Sequence, residues 1–439
     1  MQSEQFVRER PQAMSDEQTL SIDQLQVGHY IHLDLKWFEH PFAFSHFKIK
    51  SPAQIETLRG LGLTGVRFNA DLSDVKAAAP PDSPKPQSIA TPVASAPADM
   101  SAAMLAKRDM MAKMQVRRQN AERIEKAFIN TASTIKDLEK NLYSRPKEAA
   151  LQATQLISEI ATSILMAPEL AIHVMGDKMG GEELYFHSLN VTMLSIMMAR
   201  DLKLPLEVVN MLGVGALLHD IGRKDVPDKV LKKTEPLTQA ERHFYELHCQ
   251  YGVDMGQRLK LAPAALTVIG SHHELFDGSG YPSKLKGEAI SLLARIVVIA
   301  NYYDELCNPL QIADALTPHE ALSLMFAKLR GKFDPKLLQV FIRCLGVYPP
   351  GTMVQLSNGS VGMVATVNTA RPMKPTVVVY EPGVPKEEAI LLDMDGEVDV
   401  SITKAIRPGQ VPRDVYNYLS PRKRVSYYFD AASPQARTP

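Results

Sequence analysis

The chain has 439 residues, and its 49 Lys and Arg residues balance its 49 Asp and Glu residues, so the formal net charge is zero. That balance argues against a nucleic-acid polymer or a membrane surface as the partner. The cysteines Cys249, Cys307 and Cys344 lie far apart and form no CxxC pair, so neither a disulfide framework nor a zinc ribbon is implied. The polar start, MQSEQFVRERPQ, has no signal-peptide core, and no apolar run approaches a membrane span. The sequence therefore predicts a cytoplasmic protein.

Residues 20–75 predict a small α+β domain. Apolar residues alternate through the segment YIHLDL as in a strand, and the segments SPAQIETLRGLG and GLTGVRFN predict a helix and a closing strand. The histidines His32, His40 and His46 show no metal-ligand spacing. We interpret them as surface or packing residues.

Two connecting segments follow this domain. Residues 76–100 are rich in Ala, Pro and Ser and predict an extended linker, because such a composition buries too little apolar surface to fold. Residues 101–145 are rich in Ala, Met, Lys, Arg and Glu and predict a long helix. Its basic residues are interpreted as a solvated face, and its length allows homodimer packing or signal transmission.

The remaining chain predicts a helical domain followed by a β domain. Residues 146–345 show helical patterns separated by Gly and Pro stops. Residues 346–430 show short alternating segments, including a hairpin signal at Asn358-Gly359, and predict a small C-terminal β domain. The predicted fold class is therefore multidomain and mainly α.

Candidate metal ligands first occur in two places in the helical segment. Glu183 and His187 are four residues apart, which places them on one face of a helix. His219 and Asp220 end an apolar helix predicted over residues 206–218. A carboxylate buried by that apolar run needs a partner, and a metal is one.

Further candidates lie downstream. A helix capped by Thr238 and Glu241 carries His243 and His248. The string SHHELFDGSGYP then supplies His272 and His273, and a later helix carries Asn301 and Asp304. We interpret the other histidines, His173, His243 and His319, as packed or exposed. Nitrogen ligands mixed with carboxylates suit divalent iron or manganese rather than structural zinc.

The pair His219-Asp220 and the string HHELFDGSGYP resemble the HD-GYP domain, a subgroup of the HD phosphohydrolases. The resemblance spans about residues 146–345, and the segment LQVGHYIHLDLKWFEHPFAFSHFKIKS resembles a small domain of unknown function that precedes some HD-GYP domains. The resemblance to the HD-GYP domain implies an all-helical HD-type core that hydrolyses cyclic di-GMP to pGpG or GMP with two or three divalent metals. The implied metal ligands are Glu183, His187, His219, Asp220, His248, His272 and His273, with Asn301 at the position of the last ligand.

The resemblance also implies roles for residues around the metals. Asp220 is the bridging carboxylate, and Glu183 is the residue that accompanies a third metal. The catalytic set is Asp220, Arg223 and Lys224, and the substrate-binding set is Arg223, Gly280 and Tyr281. We interpret Glu274 and Asp277 as residues that hold the loop and orient histidines.

Three departures from the family pattern concern the same pocket. The family ends its ligand set with D-x-x-D-A, and Asn301 stands at the first Asp while Asp304 keeps the second. Arg223 replaces the Lys of HDIGK, with Lys224 next to it. The basic segment R-P-Y that grips substrate phosphates is replaced by residues 308–311, NPLQ.

Two classes of function therefore remain open. The leading one is a cyclic di-GMP phosphodiesterase, with hydrolysis of another nucleotide as a variant. The alternative is a catalytically weak or inactive module that binds cyclic di-GMP, or protein partners through its terminal domains.

Overall fold

The computed structural model describes residues 18–35, 40–42, 45–75, 131, 133–138, 140–166, 170–174, 183–233, 235–309, 314–368, 371–372, 374–382, 384–386, 389–395, 400–419 and 427–431. The chain divides into two compact units. One comprises residues 1–117 and 381–389, and the other comprises residues 118–380 and 390–439. The predicted linker over residues 76–100 and most of the predicted long helix lie outside the described residues, although residues 133–138 and 140–141 are helical.

The first unit contains a four-stranded antiparallel sheet and one helix. Its elements are β1 (Gln18–Ser21), β2 (Tyr30–His32), β3 (His46–Lys48), α1 (Pro52–Gly60) and β4 (Gly65–Asn69), and the strand order is β1-β4-β2-β3. Alternation along the strands puts Ile31 and Phe68 in the core, and helix α1 adds Leu58, so that each is almost fully buried. His32 and His46 pair directly across β2 and β3. This is the α+β arrangement that the strand and helix patterns predict.

The second unit is built mainly from helices. They are α2 (Pro146–Met166), α3 (Glu183–Asp201), α4 (Leu206–Leu217), α5 (Asp228–Leu231), α6 (Gln239–Glu246), α7 (His248–Arg258), α8 (Pro263–Ser271), α9 (Leu292–Cys307), α10 (Pro318–Ala327), α11 (Pro335–Leu345) and α12 (Arg413–Leu419). The capping box predicted from Thr238 and Glu241 begins α6. Among the described helices, none combines the length and apolar character needed to cross a membrane.

The apolar helices α4 and α9 form the centre of this unit. Helix α4 packs against α2, α3 and α8, and α9 packs against α3, α8, α10 and α11. Both are buried along much of their length because their sequences are nearly continuous apolar runs. The polar groups at the ends of α4 and α8 and on α3 and α9 are therefore brought to one place with little water around them.

A seven-stranded sheet completes the second unit. Its strands are β5 (Leu170–Val174), β6 (Met353–Leu356), β7 (Val361–Asn368), β8 (Thr376–Val379), β9 (Ile390–Asp393), β10 (Ile402–Ala405) and β11 (Tyr427–Ala431). The main path is β10-β6-β7-β5-β11, and β8 and β9 extend from β7. The predicted hairpin at Asn358-Gly359 joins β6 and β7. Strand β5 comes from a segment that the sequence predicts as helical, and it pairs with β7 and β11.

Candidate metal centre

Four histidines are oriented by hydrogen bonds to the same ring nitrogen. The Nδ1 atoms of His219, His248 and His272 lie 2.6, 2.6 and 2.7 Å from the carbonyl oxygens of the residues three positions earlier. The Nδ1 of His187 lies 2.7 Å from Asp304 Oδ2. Because a carbonyl or carboxylate oxygen only accepts, each Nδ1 carries the proton and each Nε2 keeps a lone pair.

Those lone pairs face one another. The Nε2 atoms of His187 and His219 are 3.3 Å apart, and those of His248 and His272 are 3.2 Å apart. Two nitrogens that both lack a proton cannot share a hydrogen bond, so the neutral rings of each pair can direct two lone pairs at one positive ion.

Asp220 lies between the two pairs. Its Oδ2 is 3.7 Å from His187 Nε2 and 3.4 Å from His219 Nε2, and its Oδ1 is 3.6 Å from the Nε2 atoms of both His248 and His272. Each carboxylate oxygen therefore belongs to a different histidine pair. A carboxylate placed in this way would be able to bridge two ions.

His273 joins the second pair. Its ligand atom lies within 4.8 Å of those of Asp220, His248 and His272, while His187, His219 and Asp220 form the other group. The His273 ring stacks on Tyr281 with centroids 4.6 Å apart, and its Nε2 is buried without a hydrogen-bond partner. Tyr281 precedes a cis proline, Pro282.

Two acidic residues hold the conformation of the loop after these histidines by accepting hydrogen bonds from its backbone. The buried Glu274 carboxylate accepts hydrogen bonds from Ser283 N at 2.6 Å and Leu285 N at 2.8 Å. Asp277 accepts from the backbone and hydroxyl of Ser279 at 2.8 and 2.6 Å. A Cβ on Gly280 would lie 2.4 Å from His273 O, so only glycine allows the loop to fold back on the histidines.

Arg223 lies beside the carboxylate that both pairs share. Its Nε is 2.9 Å from Asp220 Oδ1, and its Nη2 donates to Tyr245 Oη at 2.8 Å. Lys224, the other predicted cationic residue, is exposed. Arg223 is therefore a cationic residue that the structure brings to Asp220.

Helix α9 supplies two buried polar residues, Asn301 and Asp304. Asp304 is fully buried, and its Oδ1 accepts from Asn190 Nδ2 at 2.8 Å and Asn308 Nδ2 at 2.9 Å while Oδ2 holds His187. Asn301 is 2% exposed and donates through Nδ2 to Glu305 Oε1 at 3.2 Å. Asp304 thus orients a histidine, whereas the Asn301 amide is paired with Glu305.

The electrostatics keep most of the ligand atoms available. Burial lowers the pKa of His272 to about 3, and it lowers the pKa values of His248 and His273, so these rings are neutral near pH 7. Burial alone would raise the pKa of Asp220, but Arg223 and His219 hold it well below its usual value. Burial alone would lower the pKa of His187, but its hydrogen bond with Asp304 raises it.

The donor set fits divalent metal ions. Converging imidazole lone pairs and a shared carboxylate suit iron, manganese or similar ions. Buried atoms without a hydrogen-bond partner lie at His273 Nε2 and Asn301 Oδ1. Glu183 is the first residue of α3, and its side chain lies outside the described part of the chain. The sequence did not single out Tyr245 or Glu305, because neither belongs to a ligand doublet and only their contacts with Arg223 and Asn301 draw attention to them.

Known protein families and a characterised relative match large parts of the chain. The HD domain family matches residues 137–337, and the domain of unknown function DUF3391 matches residues 17–153. The cyclic di-GMP phosphodiesterase PA4108 of Pseudomonas aeruginosa is 30% identical over 366 residues, which cover 82% of this chain and 84% of that protein.

Two further similarities cover shorter parts of the chain. The cyclic di-GMP phosphodiesterase response regulator RpfG of Xanthomonas campestris pv. campestris is 35% identical over 149 residues, covering 34% of this chain and 39% of that protein. The 3'3'-cGAMP-specific phosphodiesterase 2 of Vibrio cholerae is 34% identical over 127 residues, covering 28% of this chain and 24% of that protein. The chain belongs to the HD-GYP phosphodiesterase family and begins with a DUF3391 domain.

Proposed function

We propose that the protein hydrolyses cyclic di-GMP to pGpG, GMP or both. The observation that carries this proposal is the convergence of two histidine pairs on the two oxygens of Asp220. The relative that matches most of this chain, PA4108, is a cyclic di-GMP phosphodiesterase. Because a relative that matches a shorter part of this chain is a 3'3'-cGAMP-specific phosphodiesterase, that dinucleotide is the competing substrate.

Two divalent ions, iron or manganese, would be held by His187, His219, Asp220, His248, His272 and His273, with Asn301 as a further oxygen donor and Glu183 available for a third ion. Such ions lower the pKa of water and polarise a phosphodiester.

The chain's own residues complete the pocket. Arg223 places a guanidinium next to Asp220, where it can bind a phosphate oxygen. Tyr281 stacks on His273 and fixes that ring, and the close approach of Gly280 keeps the loop over the histidines. Buried helices around the pocket exclude bulk water and strengthen these charges.

The test is a substrate comparison with matched histidine variants. The full chain loaded with Mn(II) or Fe(II) should release pGpG or GMP from cyclic di-GMP faster than it cleaves 3'3'-cGAMP. His272→Ala should lower turnover by at least ~100-fold, because removing a metal ligand costs more activity than removing a residue that only orients a ligand. His243→Ala, at an exposed position of α6, should keep full activity. Loaded wild-type protein that cleaves neither dinucleotide would refute the proposal.

A second candidate, a weakly active cyclic di-GMP-binding module, is favoured by the amide at Asn301. An amide oxygen brings no charge to the metals, so substrate could be held without efficient turnover. Leu310 and Gln311 belong to the segment that replaces the family's basic, phosphate-binding R-P-Y segment. Both lie outside the described residues. Metal-dependent binding without hydrolysis, and turnover gained by Asn301→Asp, would support this second candidate.

The organisation of the chain around this activity is also a proposal. We assign catalysis to residues 146–345 and contacts with protein partners to the terminal domains, over residues 20–75 and 346–430, with a homodimer formed through residues 101–145. The cysteines are free, as expected in the reducing cytoplasm where we place the protein. Size-exclusion chromatography with light scattering, on the full chain and on a variant lacking residues 101–130, tests the dimer.

A further inference from the structure

The amide of Asn301 has one partnered end and one unpartnered end. Its Nδ2 lies 3.2 Å from Glu305 Oε1, and its Oδ1 is buried without a hydrogen-bond partner. A carboxylate only accepts and an NH2 group only donates, so the bond to Glu305 decides which way the amide faces. The oxygen of Asn301 is therefore the end left available for a ligand.

Glu305 also lies near Arg223, the positively charged side chain beside Asp220. Its Oε1 is 3.9 Å from Arg223 Nη2, and Arg223 in turn lies 2.9 Å from Asp220. Residues 301 and 305 are one helical turn apart on α9 and share a face. The Glu305 carboxylate thus contacts Asn301, which stands at an implied ligand position, and lies near Arg223, which contacts Asp220.

The sequence changes at these two positions offset each other. In the pattern D-x-x-D-A, position 301 is Asp and position 305 is Ala, whereas this chain has Asn301 and Glu305. One negative charge is lost and one is gained on the same face. Asp304 does not offset the loss, because both of its oxygens are engaged by His187, Asn190 and Asn308.

We propose that Glu305 is a positioning residue that compensates for Asn301. It holds the Asn301 amide so that the oxygen is presented as a neutral ligand to a divalent metal, and it returns the missing negative charge to that side of the centre. This inference rests on the proposed metal centre, but it concerns metal binding and does not depend on which dinucleotide is hydrolysed.

The test is a double-mutant cycle read out by metal binding. Mn(II) affinity is measured by titration calorimetry on the metal-stripped full chain for wild type, Glu305→Ala, Asn301→Asp and the double variant. Glu305→Ala should weaken Mn(II) binding by ~10- to 100-fold, as is typical when the partner of a ligand is removed. The same change should cost less than about threefold when Asn301→Asp is already present, because the carboxylate at 301 then needs neither orientation nor added charge.

A matched control separates this effect from general damage. Glu159→Ala removes an exposed glutamate from the middle of α2 and should leave Mn(II) affinity unchanged. Circular dichroism confirms that each variant folds. An equal cost of Glu305→Ala in both backgrounds, or no cost in either, would overturn the proposal. If the cycle behaves as expected while no dinucleotide is cleaved, the role of Glu305 stands and the proposed function fails.

Discussion

The orientation of each imidazole depends on one hydrogen bond at Nδ1. His219, His248 and His272 use backbone carbonyls of their own helical turns, so their orientation follows directly from local structure. His187 depends instead on Asp304, a side chain on another helix. The first three rings are therefore fixed by secondary structure, and the fourth is fixed only when α3 and α9 pack together.

Asp304→Asn should weaken metal binding although it changes almost no volume. Asn190 and Asn308 both donate to one oxygen of Asp304, so an amide here keeps its oxygen towards them and turns its NH2 towards His187. His187 must then accept at Nδ1 and carry its proton on Nε2, where it cannot bind metal. We expect a ~10- to 100-fold loss of Mn(II) affinity by calorimetry.

Asp254→Asn is the matched control, because Asp254 is exposed on α7 and accepts a hydrogen bond from Gln250. Its Mn(II) affinity should equal that of the wild type. Equal affinities for Asp304→Asn and wild type would show that His187 keeps its orientation without a carboxylate.

Sequence patterns were sufficient to select the convergent histidines, because doublets such as His219-Asp220 and His272-His273 carry the signal locally. The partners that orient them were not predictable in the same way. Asp304 and His187 are 117 positions apart, and their contact depends on how α3 packs against α9. The predicted metal ligands therefore came from motifs, whereas the network that holds them comes from tertiary structure.

At the scale of elements, the turn after Asp220 must pass very close to the start of α7. A Cβ on Gly222 would lie 2.0 Å from His248 O and 2.4 Å from Gly252 N. Both of these atoms belong to backbone, which cannot rotate away as a flexible side chain could. The spacing between Asp220 and His248 is thus set by a glycine contact.

Gly222→Ala should separate these two elements and disturb the metal centre. We expect a loss of about 1–3 kcal/mol in stability, the usual cost of overpacking, together with weaker Mn(II) binding. Thermal unfolding and calorimetry measure the two effects. Gly331→Ala is the control, because a Cβ there meets nothing within 4 Å. Identical results for the two variants would show that the contact with α7 can relax without consequence.

Helix α10 begins with a capping box whose acid also reaches a distant arginine. Glu320 accepts from Thr317 N and Oγ1 at 3.1 and 2.9 Å and from Arg407 Nε at 2.5 Å. Burial alone would raise the pKa of Glu320, but these hydrogen bonds lower it below 4.5. A lowered folded-state pKa means that the ionised form stabilises the fold.

The resulting pH dependence has a defined sign. The stabilisation by Glu320 is complete above its unfolded pKa of about 4.5 and is lost as the pH falls through the lower folded value. Glu320→Gln keeps the cap but removes the charge, so its thermal midpoint should lie below that of the wild type at pH 7. The difference should shrink at pH 3. A difference that is the same at both pH values would contradict this role for the charge.

Most elements could be predicted from their periodicity, and β5 shows where that approach stops. The segment LAIHV is short, and it lies among helical segments, so the pattern did not identify it as a strand. Its partners β7 and β11 lie far along the chain. This segment is a strand because it pairs with distant strands, and its own sequence gives no sign of that pairing.

For the whole molecule, two compact units imply two unfolding events that respond differently to metal. Within the described part of the chain, the residue groups able to hold a metal ion lie in the second unit. An ion that binds the folded state stabilises it by about 2.7 kcal/mol at a concentration 100 times its dissociation constant. The stabilisation should therefore appear in one unit alone.

Differential scanning calorimetry of the full chain should show two transitions, with Mn(II) raising the midpoint of one and EDTA reversing the shift. His272→Ala should remove the shift while leaving the other transition in place. A shift of both transitions by Mn(II) would mean that the units unfold as one body or that both bind the ion.

The order of strands in the second unit has a consequence for any attempt to divide the molecule. Strand β5 lies between α2 and α3, before all of the predicted ligand positions, and its hydrogen-bond partners follow Gly346. A fragment that ends at Leu345 keeps β5 but loses every strand beside it. Its bare backbone edge would then be a template for self-association, so an isolated helical fragment would be prone to aggregate for reasons unrelated to its chemistry.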